Sequence, residues 1–367
     1  MAFHPAQQNE ATRPDLHLGL AYWSSVAEKD TTNNGVLGGF GNGSLPRLDA
    51  LGSRMFLLTI RPELSTIKPA HQSSELWEAK RGAQMDEQGG KLKRGIYRRA
   101  LDVGAGIGRV TADVLLYLFD RVDLVEPVGQ FIDAGKRNAS SGKWPQLTPP
   151  PPPKNGDPDN SPSWPPHSKA VRFWNLAIQA FQPSIAIQIR PSPPAPDPYF
   201  FPDASSIVGS TDGWNDGCGY DVIWAQWTLG HLSDDELVDF LRTCREALRP
   251  AAANSCFTAG AGPAIINSSS SSSHRRSEEQ HQQQEKEEDV PTFERDGGLI
   301  IVKENIYVSP SDPDGDNFIF DQVDSSVTRS HACFMRIFGL AGLRVIKQDV
   351  QRGFDPDLYK VHFYALQ

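Results

Sequence analysis

Cysteine is scarce, and the four present, Cys218, Cys244, Cys256 and Cys333, form no C-x-x-C pair. That spacing argues against a structural zinc site and a disulfide framework, and it fits a reducing, intracellular compartment. Also missing is any apolar run near the ~20 residues needed to cross a bilayer. The first residues, MAFHPAQQNE, lack the basic and then apolar pattern of a secretory signal, so a soluble protein is expected. Positive charge is not in excess either: 36 Lys and Arg stand against 45 Asp and Glu, a formal net charge of -9. That balance argues against a direct nucleic-acid partner and is compatible with a cationic substrate, and with no long apolar run a membrane partner is not expected either.

Hydrophobic residues make up 38% of the 367, enough for a core but diluted. The dilution is local, because the 29 prolines and 31 glycines gather in a few stretches. Residues 62–94, 139–168, 184–219 and 251–297 read as loops or disorder. The second holds an unbroken run from Pro149 to Pro153, which cannot continue a helix. The fourth holds Ser268 to Ser273 and then EEQHQQQEKEED, too polar to offset its own ordering entropy. One domain with insertions is expected.

Strand-like and helix-like segments alternate through the remainder. Arg99 to Val103 is an apolar run ending in glycines, Val110 to Phe119 a buried helix, Val122 to Val125 a strand and Asp221 to Trp224 another. Ser233 and Glu236 have the S-x-x-E spacing of a capping box, and Leu237, Phe240, Leu241, Cys244 and Leu248 then form one apolar stripe ending near Pro250. Gly298 to Val302 reads as a strand, Ser326 to Ala341 as a helix stopped by Gly342, and Leu343 to Val350 with Lys360 to Leu366 as two strands turning around Asp355-Pro356. The order implies an α/β fold: a mostly parallel sheet with helices on both faces and a terminal antiparallel hairpin.

The strand over 99–103 leads into Asp102-Val-Gly104-Ala-Gly106-Ile-Gly108-Arg109, which opens a helix. Such glycines let the backbone approach a ligand closely. A dinucleotide fingerprint would place its third glycine where Arg109 stands, which lowers the nicotinamide or flavin reading. Glu126 ends the next strand, where a carboxylate can accept both ribose hydroxyls. This combination looks like the adenosyl pocket of a class I S-adenosylmethionine-dependent methyltransferase. Residues 220–233, YDVIWAQWTLGHLS, place Gln226, Trp227 and His231 between a strand and a capped helix, at the sheet edge where such folds bind ligands.

Together these residues resemble the eukaryotic α-N-terminal protein methyltransferases. Tyr22-Trp23 with Gly35 to Gly41 is similar to that family's N-terminal lid, Trp174 to Pro183 to the segment after its third strand, and Asp357-Leu-Tyr359 to a stretch near its end. Val302-Lys-Glu-Asn305 matches as well, and the combination of the Q-W-x-x-G-H stretch over 226–231 with the D-x-V-D-S-S stretch over 321–326 is far more specific than the glycine loop. The resemblance implies that the cofactor S-adenosyl-L-methionine is held by Gly104, Gly106, Arg109, Glu126, Ile178, Gln179 and Gln226, with Arg109 on the methionyl carboxylate. It implies that His231 and Asp324 handle the α-amino proton and that Asn305 fixes the first substrate carbonyl. Trp23, Leu37, Trp227 and Tyr359 would line the groove, while Asp321 and Ser326 would face a cation at the third substrate position. The implied partners are proteins with free Xaa-Pro-Lys or Xaa-Pro-Arg N-termini, ribosomal or chromatin proteins among them. A lid segment over 1–61 and a catalytic domain over 95–367, interrupted by insertions near 139–168, 184–219 and 251–297, are expected, in a cytoplasmic and also nuclear monomer. Two further readings share the cofactor pocket: a catalytically degenerate binding protein, and a small-molecule methyltransferase.

Overall fold

The computed structural model describes residues 12–65, 67–68, 73–74, 83–85, 92–94, 97–147, 168–189, 206–210, 214, 219–251 and 297–367. The proline run, the serine tract and the acidic Gln-rich run lie outside the described residues. Three helices come first: α1 (Leu16–Lys29), α2 (Asn33–Val36) and α3 (Leu45–Ile60). Asp15 caps α1 by accepting the Leu18 N–H, and Thr32 caps α2 by accepting that of Asn34. Helix α3 buries Pro46, Asp49, Ala50, Ser53, Phe56 and Leu57, three or four positions apart and therefore on one face. Asp49 and Ser53 interrupt that apolar stripe.

A small antiparallel pair, β1 (Ala83–Met85) with β2 (Leu92–Arg94), falls in a stretch expected to be loop; three-residue strands are too short to show a period. The alternating body follows: β3 (Arg99–Val103), α4 (a π-helical turn, Thr111–Leu115, running into Leu116–Leu118), β4 (Arg121–Val125), α5 (Gly129–Ser140) and β5 (Ala170–Trp174). Next come α6 (Pro183–Ala186), β6 (Ser206–Gly209), β7 (Val222–Gln226), α7 (Asp234–Glu246) and β8 (Leu299–Ile306). A hairpin of β9 (Phe318–Asp321) and β10 (Ser326–Arg329) precedes α8 (His331–Leu340), β11 (Val345–Val350) and β12 (Lys360–Leu366). The main sheet has the order β11-β12-β8-β7-β3-β4-β5-β6. Its five central strands are parallel, with β6 antiparallel at one edge and β12 and β11 antiparallel at the other. Strands β3, β4, β5 and β7 are buried along their whole length, as strands covered by helices on both faces must be. One face packs on Phe240 and Leu241 of α7 and Phe334 and Ile337 of α8; the other packs on Phe56 and Leu57 of α3, Leu115 and Leu116 of α4 and Ile132 of α5.

Three expectations need correction. The helix expected from Ser326 starts only at His331, because Ser326–Arg329 pairs with β9, Ser326 opposite Asp321 and Arg329 opposite Phe318. Val327 and Thr328 are β-branched and suit a strand, and Ser330, which accepts the Cys333 N–H at 3.1 Å, is the true helix cap. Within 184–219, read as loop, β6 adds an edge strand, and Trp214 is fully buried with the guanidinium carbons of Arg99 and Arg172 at 5.2 and 4.7 Å from its ring centroid. Within 139–168, Trp144 and Leu147 are core residues, Trp144 stacking on Phe173.

A buried polar network ties this edge together. Asp123 accepts from Arg99 Nε (3.1 Å), Arg172 Nε (2.6 Å), Trp174 Nε1 and Tyr220 Oη (2.8 Å each). Burial would raise its pKa, but the two guanidiniums hold it below the ordinary carboxylate value. Arg172 also donates to the carbonyls of Ala186 (2.7 Å) and Ile189 (2.8 Å), fixing the chain just after Ile178 and Gln179. Removing one member of such a set leaves a buried charge uncompensated, at about 3–5 kcal/mol.

Candidate active site

The carboxyl ends of β3, β4, β5, β7 and β8 converge on one edge, where open α/β sheets take ligands. A cleft of about 1010 Å³, partly open to solvent, lies there beneath α1 and α2. Gly104 and Gly106 turn the chain with φ of +63° and +56°. A Cβ at Gly104 would collide with the Thr228 side chain, one at Gly106 would press on Val36 of α2 at 3.2 Å, and the positive φ at both favours glycine. The Gly106 N–H donates to Glu126 Oε2 and the Val128 N–H to Oε1, both at 2.8 Å. Burial pushes the Glu126 carboxyl up to about 7, against those two donors and with help from nearby Asp102.

Ile178 and Gln179 line the same cleft. Gln179 Nε2 donates to the His231 carbonyl at 3.2 Å, and its buried Oε1 meets no donor among the described residues. Arg109 and Gln226 line the other end, both bound from behind by Asp49 of α3: Arg109 Nη1 at 2.5 Å and Gln226 Nε2 at 2.9 Å. Lys303 of β8 completes the cluster with a short bond to Asp49 and another to Ser53 at 3.0 Å. Burial lowers the Lys303 pKa to about 8, although Asp49 works in the opposite direction. The sequence assigned no role to Asp49 or Lys303, although each is a charge on the buried face of its element.

A second cleft, about 1190 Å³, adjoins the first, and Trp23, Leu37, Trp227 and His231 form walls of both. Asn305, Asp324, Ser326 and the half-exposed Tyr359 also line it. Trp227 sits at φ +53°, unusual for a bulky residue. Its turn is held by Glu304, whose Oε1 accepts the N–H groups of Thr228 (2.9 Å) and Leu229 (3.0 Å). Burial raises the Glu304 pKa to about 7. The Trp227 indole donates to Asn305 Oδ1 at 3.1 Å, which leaves the Asn305 NH₂ as the donor presented to the groove.

The expected partnership of His231 with Asp324 takes a different form. Asp324 Oδ1 accepts the Ser326 hydroxyl at 2.7 Å, while His231 Nε2 accepts the indole N–H of Trp23 at 3.0 Å. That contact places the imidazole proton on Nδ1, which lies buried close to Gly19 of α1. Burial lowers the His231 pKa, and the Asp324 charge opposes the shift. Asp321 lies outside both clefts: it is exposed, and its carboxylate accepts the Val323 N–H at 2.7 Å in the hairpin turn.

A buried acceptor lacking a donor, a glycine turn with no space for a side chain and a carboxylate with spare lone pairs fit a ligand carrying an exocyclic amine and a ribose diol. Fold and cleft together define a class I S-adenosylmethionine-dependent methyltransferase. The sequence profile of the AdoMet-dependent proline di-methyltransferases matches residues 81–148, 207–284 and 291–367, and the chain belongs to that family. Its cofactor is S-adenosylmethionine. The chain is 26% identical to alpha N-terminal protein methyltransferase 1 of Arabidopsis thaliana, over 95% of this chain and 78% of that protein. It is 27% identical to N-terminal Xaa-Pro-Lys N-methyltransferase 1 of Danio rerio, over 94% and 92%. It is also 27% identical to alpha N-terminal protein methyltransferase 1 of Schizosaccharomyces pombe, over 95% and 93%. In fold it is similar to a SAM-dependent methyltransferase from Leishmania major, with a TM-score of 0.50 and 23% identity over 95% of this chain and 81% of that one.

Proposed function

We propose that this enzyme methylates the free α-amino group of proteins beginning Xaa-Pro-Lys or Xaa-Pro-Arg. The observation that carries the reading is the shared wall: the cofactor cleft opens into a groove through Trp23, Leu37, Trp227 and His231, so an amine seated in the groove meets the cleft at that wall. When bound, S-adenosylmethionine supplies an electrophilic methyl group on sulfur. Glu126 takes the ribose hydroxyls, Ile178 and Gln179 flank the adenine, and Arg109 takes the methionyl carboxylate. The aromatic faces of Trp227 and Tyr359 suit a proline ring, and the Asn305 amide suits the carbonyl preceding it.

The amine must present a lone pair. An α-ammonium has a pKa near 7.7–8.0, so roughly 10% is neutral at pH 7, whereas a Lys side chain near 10.4 is almost wholly charged. A terminal amine therefore needs modest help, which suits His231, a part-buried imidazole whose lowered pKa keeps it neutral. Its Nε2 lone pair becomes available when the incoming amine displaces the Trp23 indole. Asp324, near His231 in the same groove, steadies the ammonium until the proton leaves.

The test is methyl transfer to a short Xaa-Pro-Lys peptide beside its N-acetylated twin. Transfer to the free peptide alone is expected. Equal transfer to both, or to neither while a small-molecule amine is methylated, refutes the reading.

A further inference from the structure

Asp49 is fully buried on helix α3 and does not line the cofactor cleft, yet it contacts both side chains at the cleft's methionyl end. Its Oδ2 accepts Arg109 Nη1 at 2.5 Å, and its Oδ1 accepts Gln226 Nε2 at 2.9 Å. Gln226 is fixed from its other side, since its Oε1 accepts the Trp224 indole N–H at 3.1 Å. Among the described residues Arg109 is hydrogen-bonded by Asp49 alone: beyond it, the charges of Asp102 and Asp113 act from nearby and the guanidinium carbon lies 5.6 Å from the Trp227 ring centroid. A guanidinium recognises a carboxylate through a planar fork, so the orientation of that fork decides how many bonds the ligand gains. Asp49 sets it. Asp49 is in turn fixed by Lys303, whose ammonium also donates to Gln351 Oε1 at 2.9 Å, while Gln351 Nε2 donates to the Leu48 carbonyl at 3.2 Å.

We propose that Asp49 is a positioning residue for cofactor recognition, holding Arg109 and Gln226 in the arrangement that receives the amino-acid carboxylate of S-adenosylmethionine. The proposal rests on Arg109 being the carboxylate's partner. It makes docking of α3 a condition for tight cofactor binding, because α3 carries no atom into the cleft but orients the groups that do.

The test measures binding, by calorimetry, of S-adenosylhomocysteine and of its decarboxylated analogue, which keeps the adenosine, thioether and amine. The wild-type enzyme should favour the intact ligand by at least about tenfold, the scale of a charge-assisted hydrogen bond. Asp49→Asn should erase most of that preference while holding affinity for the decarboxylated ligand within about threefold. Because Asp49→Asn leaves the Lys303 charge buried alone and can fail to fold, the same comparison is made between Lys303→Met and Lys303→Met/Asp49→Asn. The single variant should keep the preference and the double variant lose it. Equal weakening of both ligands, or a preference that survives the loss of Asp49, overturns the proposal and leaves the role of Arg109 intact. A wild-type enzyme with no preference overturns the role of Arg109 and the proposal with it.

Discussion

Glu126 gives the cofactor cleft a proton linkage that can be worked out in advance. Its carboxyl is buried and pushed up to about 7, so near neutrality it is only partly ionised in the free enzyme. Ribose hydroxyls donate to the ionised form, and binding therefore draws the proton off. With a pKa near 7 the ionised fraction is roughly 90% at pH 8 and roughly 10% at pH 6, so adenosyl affinity should fall about tenfold between them. An ordinary glutamate, near 4.3, would give almost no change over that range. The ligand of choice is methylthioadenosine, which has no group titrating near neutrality. Calorimetry at pH 7 in two buffers of different ionisation enthalpy should show about half a proton released per site. Asp102, pushed up to about 6 mainly by burial, lines the same cleft, so Glu126→Gln serves to separate the two. That variant should bind more weakly and lose most of the pH dependence. The free enzyme's stability runs the other way: a folded pKa above the unfolded 4.5 stabilises the fold below pH 4.5, and that contribution is lost as pH rises through about 7. An affinity flat from pH 6 to 8, with no proton released, would refute the reasoning.

Two further outcomes follow from the groove. Trp23→Phe removes the indole N–H that stabilises neutral His231, so the imidazole pKa should rise by up to about 1 unit, the equivalent of one net hydrogen bond; an NMR titration showing no rise would count against the contact. Asp321 is exposed at the hairpin turn, so Asp321→Lys should raise KM for an Xaa-Pro-Lys peptide by only about two- to fivefold, with Xaa-Pro-Gln nearly unaffected; equal losses on both peptides would remove Asp321 from substrate choice.

The parallel sheet and its glycine turn were legible because each depends on local pattern: apolar runs of strand length, a capping box at Ser233, and glycines between a strand and a helix. Less legible were features whose cause lies far away in the chain. Ser326–Arg329 carries β-branched residues but precedes a helical stripe, and only pairing with β9 decides its conformation. Trp214 stands in a stretch rich in Gly and Asp, and its burial follows from two arginines over 40 residues away. Most cleft residues were found because they sit at strand ends, whereas Asp49 was missed because it acts from the lid through other side chains. The contact between Trp23 and His231 joins residues 208 positions apart, and nothing in the spacing of either signals it.

The topology keeps two of the points where this chain can grow away from the place where it works. Strands β5 and β8 run parallel to β3, so the described residues flanking 148–167 and 252–296, Leu147 with Ser168 and Ala251 with Gly297, lie at the amino edge of the sheet, opposite both clefts. Shortening the chain at those two points is expected to leave turnover within a few-fold. The same two points are natural handles: a fluorophore or a surface tether attached there would leave the peptide groove facing solution.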